Sequence, residues 1–477
     1  MKKIFFTLTF CALSALLFAD TTQESIQDAT SSPARSETIS SDSTNQDTVS
    51  PNKSNEVLMS EEEERRDIIN YGLETDILSL IKELSKNEDA SMNDALASIF
   101  PTTALSAVRI AILEFFASQK VSSIDADVMK MLENMDDYSK AEVNALISFV
   151  GELKLSDATA FLSSIIKEKR SDYLENAIIA LGKVGSKDEL LSLVETYENI
   201  GEDDEKKQVI LKEAILKSLQ ENAPEEAFDF LCEVAEEEAE NVVVRSLAVS
   251  ALSSIKTTEV FSKLLQYYSS SEPLLRVASI KGIAEHDNEE AKKIMLEATK
   301  DSYYKVRAQA IKSIALNDTT VNYLVYRAKK DPEQSIRLAS IERLSESNNS
   351  KANEYLISTF NNEKTANSIR VKIAETLLKN NFELIIADVE KVAIESTKDD
   401  KNKALRMELG RILAKIKNER TATIAEAYLR HKDTFVKSLG LDMFAANKYS
   451  SIVPLIEEIA NNEKMGALQK RAKSLLQ

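Results

Sequence analysis

Residues 306–314 read Val-Arg-Ala-Gln-Ala-Ile-Lys-Ser-Ile. The apolar residues Val306, Ala310 and Ile314 are four positions apart, and Ile311 follows Ala310. Side chains three or four positions apart lie on one face of an α-helix. The stretch therefore predicts a helix that buries one face, with Arg307 beside the first buried residue.

The same pattern recurs along the chain as an apolar residue, an arginine, two further residues, a small or apolar residue, an apolar residue, and another apolar residue three places later. Clear copies start at Val244, Leu275, Val306, Ile336, Ile369 and Leu405, and looser copies at Val108, Ala141, Tyr173, Leu211 and Val436. Successive copies are 30–38 residues apart, the length of two helices and two turns. We expect an all-α fold, an α-solenoid of about eleven helical hairpins with capping hairpins at the ends.

A second apolar helix is expected between successive copies, for example around Val260 and around Val321. Two apolar faces in one hairpin cannot both be covered by that hairpin, so each unit has to pack against its neighbours. Asp331 and Pro332 precede Ile336, and this order predicts a capping side chain followed by a proline at the first helical position.

The composition agrees with stacked helices. Among 477 residues there are 9 Gly, 7 Pro and no Trp, while 43% are hydrophobic and 29% are charged. Few chain breakers and many helix formers favour helices over a strand-rich fold. The formal net charge of −18 opposes binding to nucleic acid and to anionic lipid.

The first 19 residues resemble a secretory signal peptide, with Lys2 and Lys3 before an apolar run and Ala19 at its end. A signal retained as a membrane anchor is the alternative, although the run is short for a spanning helix. Residues 20–60 are rich in Ser, Thr, Asn, Gln and Asp without a period, which predicts a disordered tether. The solenoid is expected over residues 61–477, beginning with a helix capped by Ser60, in a protein located in the periplasm or outside the cell.

Removal of the signal also removes Cys11, so the mature chain keeps Cys232 as its single cysteine. No internal disulfide can then form, and stability has to come from packing. Cys232 lies among apolar residues, which indicates a buried thiol and not a reactive one.

Residues 177–185, Ala-Ile-Ile-Ala-Leu-Gly-Lys-Val-Gly, resemble the end of the inner helix in HEAT repeats of the phycobilisome-lyase type. The resemblance covers about residues 61–477 and identifies the chain as an exported bacterial protein with HEAT repeats. It departs from the pattern because one unit alone has both glycines, Gly182 and Gly185, and several units lack the arginine. The resemblance implies a scaffold for protein partners, and a bilin-lyase-type enzyme is its unfavoured alternative.

Motifs of common catalytic sites are missing from the sequence. The sequence shows no glycine-rich phosphate loop, nucleophile elbow or calcium loop, and its two histidines, His286 and His431, are 145 positions apart in polar turns. We expect both histidines at the surface, no metal, no cofactor, no small-molecule substrate and no enzymatic activity. A structural envelope component that acts as a spacer is the second alternative to a protein-binding scaffold.

One position of the repeat is a recurrent arginine. These residues are Arg109, Arg245, Arg276, Arg307, Arg337, Arg370 and Arg406. A row of cations can bind an anionic ligand, but the favoured interpretation is structural, with each guanidinium bonded to turn carbonyls or to an acidic residue of the next unit. Asp301 and Asp331 are the expected partners.

Four tyrosines near turns of successive units, Tyr267, Tyr268, Tyr303 and Tyr304, are the candidate partner-binding residues. Tyr323 and Tyr326 are expected to pack within their helix.

The charge is unevenly distributed along the chain: residues 61–240 contain 18 basic and 41 acidic residues, while residues 301–477 contain 30 basic and 23 acidic residues. A solvated face is the favoured reading of the acidic half, and docking of a basic partner, weak calcium binding and head-to-tail contact between two copies remain open.

Overall fold

The computed structural model describes residues 60–201 and 205–476. The predicted signal peptide and residues 20–59 of the predicted tether lie outside the described residues. The predicted cap on the first helix is present: Glu63 N–H donates to Ser60 Oγ (3.2 Å) and Ser60 N–H donates to Glu63 Oε2 (2.9 Å), which closes a capping box.

The described residues form 26 α-helices and no strand. The odd-numbered helices are α1 (Glu61–Tyr71), α3 (Asn93–Ile99), α5 (Asp125–Glu133), α7 (Thr159–Lys167), α9 (Lys187–Glu198), α11 (Phe228–Glu236), α13 (Thr258–Tyr268), α15 (Glu289–Ala298), α17 (Asp318–Lys330), α19 (Ser350–Asn361), α21 (Phe382–Ser396), α23 (Ala422–Leu429) and α25 (Val453–Asn461). The even-numbered helices are α2 (Glu74–Asn87), α4 (Ser106–Gln119), α6 (Lys140–Leu153), α8 (Leu174–Val184), α10 (Glu205–Asn222), α12 (Val242–Leu252), α14 (Pro273–Ile283), α16 (Tyr304–Ser313), α18 (Gln334–Ser345), α20 (Asn367–Asn380), α22 (Lys403–Leu413), α24 (Thr434–Asn447) and α26 (Ala467–Leu476).

The helices stack in two layers. Each even-numbered helix packs against the even-numbered helices before and after it, from α2 to α26. Each odd-numbered helix from α11 on packs against the even-numbered helix that follows it. The eleven repeat copies fall on α4 to α24, and α1–α2 and α25–α26 are the terminal hairpins, so the predicted all-α solenoid is confirmed.

The core runs between the two layers. The first apolar residue is buried in five of the six clear copies, as Val244, Val306 and Ile336 show with 0% exposure, and Ile369 is half-buried. The apolar residues of the second helix, among them Val260 and Val321, are also fully buried. Burial of both faces is what the stacking of units requires.

Gly182 marks a place where two even-numbered helices approach closely. A Cβ on Gly182 would lie 2.4 Å from Ser218 Cβ and 2.7 Å from Ser218 Cα, in the neighbouring helix α10. Ser218 donates to the carbonyl of Ile178 (2.9 Å) across the same contact. The glycine is therefore explained by helix packing, since a larger side chain would push α8 and α10 apart.

Candidate interaction surface

Some of the recurrent arginines join a turn of their own unit to the next unit of the solenoid. Arg276 donates from Nε and Nη2 to both carboxylate oxygens of Asp301 (3.0 Å each) and from Nη1 to the carbonyls of Ser270 and Ser271 (3.1 Å each). One side of the guanidinium thus binds the turn before its own helix, and the other side binds the next unit. We call each such arginine–aspartate pair a rung.

Arg307 forms the next rung with the same geometry. Its Nε and Nη2 donate to Asp331 (2.9 and 2.7 Å), and Nη1 donates to the carbonyls of Asp301 and Ser302 (2.9 and 3.1 Å). Arg307 is 5% exposed and Asp331 is 2% exposed. Burial alone would raise the pKa of Asp331, but the bonds from Arg307 and from the Glu333 N–H hold that pKa below its ordinary value.

The remaining recurrent arginines bind carbonyls, and two of them also bind a carboxylate. Three of them bind backbone carbonyls alone: Arg245 binds that of Ala235 (3.0 Å), Arg337 those of Asp331 and Pro332 (2.7 and 3.0 Å), and Arg370 that of Phe360 (2.7 Å). Arg109 binds the carboxylate of Glu142 and the carbonyls of Phe100 and Thr103. Arg406 binds the carbonyls of Ser396 and Asp399 and the carboxylate of Asp400 (3.2 Å). Each of these five side chains therefore binds the segment before its own helix, and Arg109 also reaches the next unit through Glu142.

The role predicted for Asp331 and Pro332 as a helix start is wrong. Helix α18 begins at Gln334, and its first capping residue is Glu333, whose side chain makes no capping bond. Asp331 instead ends helix α17 and binds Arg307, 24 residues earlier. The Asp331 carboxylate does accept from the Glu333 N–H (3.1 Å), as a capping side chain would, but the regular helix starts only after Glu333.

The four candidate tyrosines do not share one environment. Tyr267 is 4% exposed, and its hydroxyl donates to Glu236 Oε1 (3.0 Å), so its assignment to a partner-binding surface is wrong. Tyr268 and Tyr303 are half-buried, and burial raises the pKa of Tyr268. Tyr304 is 38% exposed, and its ring centre lies 5.3 Å from that of Tyr303 in a T-shaped pair.

Tyr304 belongs to a row of apolar side chains that the sequence reading missed. Ile210 is 46% exposed, and Val243 and Leu274 are half-buried. Ile210, Val243, Leu274 and Tyr304 each stand one or two positions before the first apolar residue of a repeat copy, in α10, α12, α14 and α16, which are four successive helices of one layer. We call this row the apolar rim. The signal for this rim in the sequence was an apolar residue just before the repeat copy, at a position where the helical period predicts a polar residue.

The acidic cluster on and after helix α11 is partly neutralised by neighbouring units. Glu236 accepts from Lys263 (2.7 Å), and Glu226 and Glu240 pair with Lys187 and Lys212. The described residues contain no group of three or more His, Cys, Asp or Glu side chains arranged to hold a metal ion. The acidic side chains that are paired in this way connect units.

The histidines and the cysteine of the described region are shielded to different degrees. His431 is 7% exposed and its Nδ1 accepts from the Asp433 N–H (3.0 Å), so its predicted surface position is wrong. His286 is half-buried against Phe261, with ring centres 4.8 Å apart. Burial lowers the pKa of both histidines. Cys232 is buried, and burial raises the pKa of its thiol, which disfavours the reactive thiolate.

Among residues 60–201 and 205–476, no helix combines the length and the apolar character needed to cross a membrane.

Comparison with known proteins identifies the repeat. The family model described as "Spirochaete HEAT repeat protein" matches residues 69–475. A solved chain from a study of tubulin recruitment and assembly by microtubule polymerases with tumor overexpressed gene domain arrays is similar at 11% sequence identity, with a TM-score of 0.24, covering 87% of this chain and 99% of that chain. No curated protein matches.

Proposed function

Because the chain belongs to the family of spirochaete HEAT repeat proteins, we propose that it is an exported scaffold that binds other proteins and catalyses no reaction. HEAT repeat solenoids in general serve protein interaction, and stacked units present an extended surface suited to that task. Export is proposed on the basic and apolar segments of residues 1–19.

The apolar rim is the observation that carries this proposal. Contiguous exposed apolar side chains on a folded surface mark sites of protein interaction. Tyrosine is enriched among the residues that contribute most to such interfaces, and Tyr304 is exposed at the end of the rim. The rim also follows the stacking direction, so a partner can contact several units at once.

The test is a crosslinking pull-down from intact cells with a tagged protein, in which the wild type is compared with a variant carrying Ile210→Ser and Tyr304→Ser. Tyr326→Ser is the matched control, because Tyr326 is 57% exposed on helix α17 and lies outside the rim. We expect a defined protein to be captured by the wild type and the control and lost from the rim variant. Equal capture by all three would refute the rim, and no enriched protein would favour a structural spacer.

A further inference from the structure

The two rungs, Arg276–Asp301 and Arg307–Asp331, form what we call the arginine ladder. In both rungs the aspartate is held in the same kind of turn. Asp301 Oδ1 accepts from the N–H two residues later, that of Tyr303 (2.7 Å), and Asp331 Oδ1 accepts from the Glu333 N–H (3.1 Å). In both turns the same carboxylate then receives the Nε and Nη2 of the arginine in the preceding unit.

The next turn has an asparagine in this place. Asn362 ends helix α19 as Asp331 ends α17, and Asn362 Oδ1 accepts from the Lys364 N–H (3.0 Å), again two residues later. The backbone arrangement is therefore repeated, but the side chain carries no charge. The Asn362 Oδ1 already accepts from the Lys364 N–H, so the side chain of Asn362 offers its NH₂ group. This group is a donor and cannot pair with a guanidinium, which also only donates.

Arg337 is the arginine that this rung would bind. Its Nη1 donates to the carbonyls of Asp331 and Pro332 (2.7 and 3.0 Å), as Arg307 Nη1 donates to its own turn. Among the described residues, no acceptor is found for Nε and Nη2 of Arg337. The edge that is bidentate in Arg276 and Arg307 is thus open in Arg337.

Arg337 and Asn362 both line a groove of about 470 Å³ that is formed by residues of helices α17 to α20. Lys329 lines the groove with its ammonium 4.9 Å from the centre of the Tyr355 ring, and it forms no ion pair within the described part of the chain. Ser358 and Thr359 add hydroxyl groups to the lining. We call this the open-rung groove.

The charge of the groove is unusual for this protein. Its lining contains an arginine and a lysine and no Asp or Glu, although the chain has 78 acidic residues. The four other described grooves each include at least one carboxylate in their lining. Two cations and several hydroxyl groups without a counter-charge favour the binding of an anion.

We propose that the open-rung groove binds the carboxylate of an aspartate or glutamate side chain on a protein partner, which supplies the acid missing from position 362. A carboxylate is the group that the same arginine edge holds in the two preceding rungs, and a guanidinium fork matches it with two parallel hydrogen bonds. This inference rests on the proposed scaffold function and adds to the apolar rim a second contact, specific for an acidic segment.

The test measures binding of a fluorescein-labelled hexaglutamate peptide to the protein by fluorescence anisotropy at low salt. Asn362→Asp places a carboxylate of the protein itself beside Arg337. It is expected to weaken binding of the peptide about tenfold or more, because the peptide loses one charge-assisted bidentate contact. Arg337→Gln is expected to weaken it by a similar factor. Asn348→Asp is the control, since it makes the same charge change at the exposed turn between α18 and α19, outside the lining of the groove, and should leave binding unchanged.

Three results would overturn the proposal. Equal weakening by Asn348→Asp and Asn362→Asp would show a response to net charge only. Unchanged binding in Asn362→Asp and Arg337→Gln would place the peptide elsewhere. Displacement of the peptide by inorganic phosphate at lower concentration than by N-acetylaspartate would assign the groove to phosphate. None of these results bears on capture through the apolar rim, so the scaffold function stands or fails separately.

Discussion

The replacement of Asp331 by Asn is expected to lower the stability of the protein, because it removes the carboxylate of the Arg307–Asp331 rung. Asp331 accepts four hydrogen bonds, from Arg307 Nε and Nη2 (2.9 and 2.7 Å), from Arg327 (3.3 Å) and from the Glu333 N–H (3.1 Å). Asparagine keeps the turn, because its Oδ1 can still accept from Glu333, as Asn362 does from Lys364. What it removes is the charge beside a guanidinium that is 5% exposed.

Breaking a buried ion pair from one side costs about 3–5 kcal/mol, because the remaining charge is left without a partner. We expect Asp331→Asn to lower the free energy of unfolding by about this amount. Arg337 tolerates its asparagine because it is half-buried and lines an open groove. Acidification should have the same effect as the substitution. The pKa of Asp331 is lowered in the folded protein from its ordinary value of 3.8. Its contribution to the free energy of unfolding is therefore fully present above pH 3.8 and is lost as pH falls through the lower folded-state pKa.

The assay is urea unfolding followed by helical circular dichroism, with hydrogen exchange of α16 to α18 to locate the loss. Glu342→Gln is the control, because Glu342 pairs with Lys372 (3.1 Å) with 55% of its side chain exposed, and exposed pairs contribute at most about 1 kcal/mol. If Asp331→Asn cost no more than Glu342→Gln, the ladder would not stabilise the stack and the reasoning would fail.

Three further outcomes are expected. Gly182→Ala should lower the unfolding free energy by about 1–3 kcal/mol in urea titrations, because the new methyl group would meet the backbone of Ser218; an increase, from better helix propensity alone, would contradict the close approach. Protonation of His431 breaks its bond from the Asp433 N–H, and burial lowers its pKa, so stability should be complete above pH 6.5 and decline below it; a urea midpoint in His431→Gln with the same pH slope as the wild type would exclude this source. Cys232 should react with a thiol reagent much more slowly in native protein than in urea, as expected for a buried thiol of raised pKa, and equal rates would show that it is accessible.

The helices and their stacking could be predicted because they depend on short-range periodicity. Val306, Ala310 and Ile314 define one buried face without any knowledge of the rest of the chain. The terminal hairpins followed from the loss of the repeat pattern at the two ends. The packing role of Gly182 could not be read in advance, since it depends on Ser218 in the next unit.

The candidate surface was predicted less well because it depends on contacts between units. Tyr267 and Tyr268 are adjacent in sequence, yet the first is buried and the second is half-buried. Which of two neighbouring residues faces the next unit depends on the angle at which the units stack. Asn362 likewise has meaning only beside Arg337, which lies 25 positions earlier and is brought near by the fold.

Two features of the surface support one account of recognition. The apolar rim provides contact area on α10 to α16, and the open-rung groove formed by α17 to α20 provides a specific site for one charge. The units that carry both features are consecutive, so one partner can reach both. Apolar contact would supply most of the affinity, and the charged contact would set the register of the partner.

The most direct test of the scaffold function is photo-crosslinking in living cells with a photoreactive amino acid introduced at Leu274, in the middle of the apolar rim, or at Asn348, an exposed turn outside it. The account predicts a discrete protein adduct from position 274 and none from position 348, identified by mass spectrometry. Adducts of equal yield from both positions, or from position 348 alone, would contradict it.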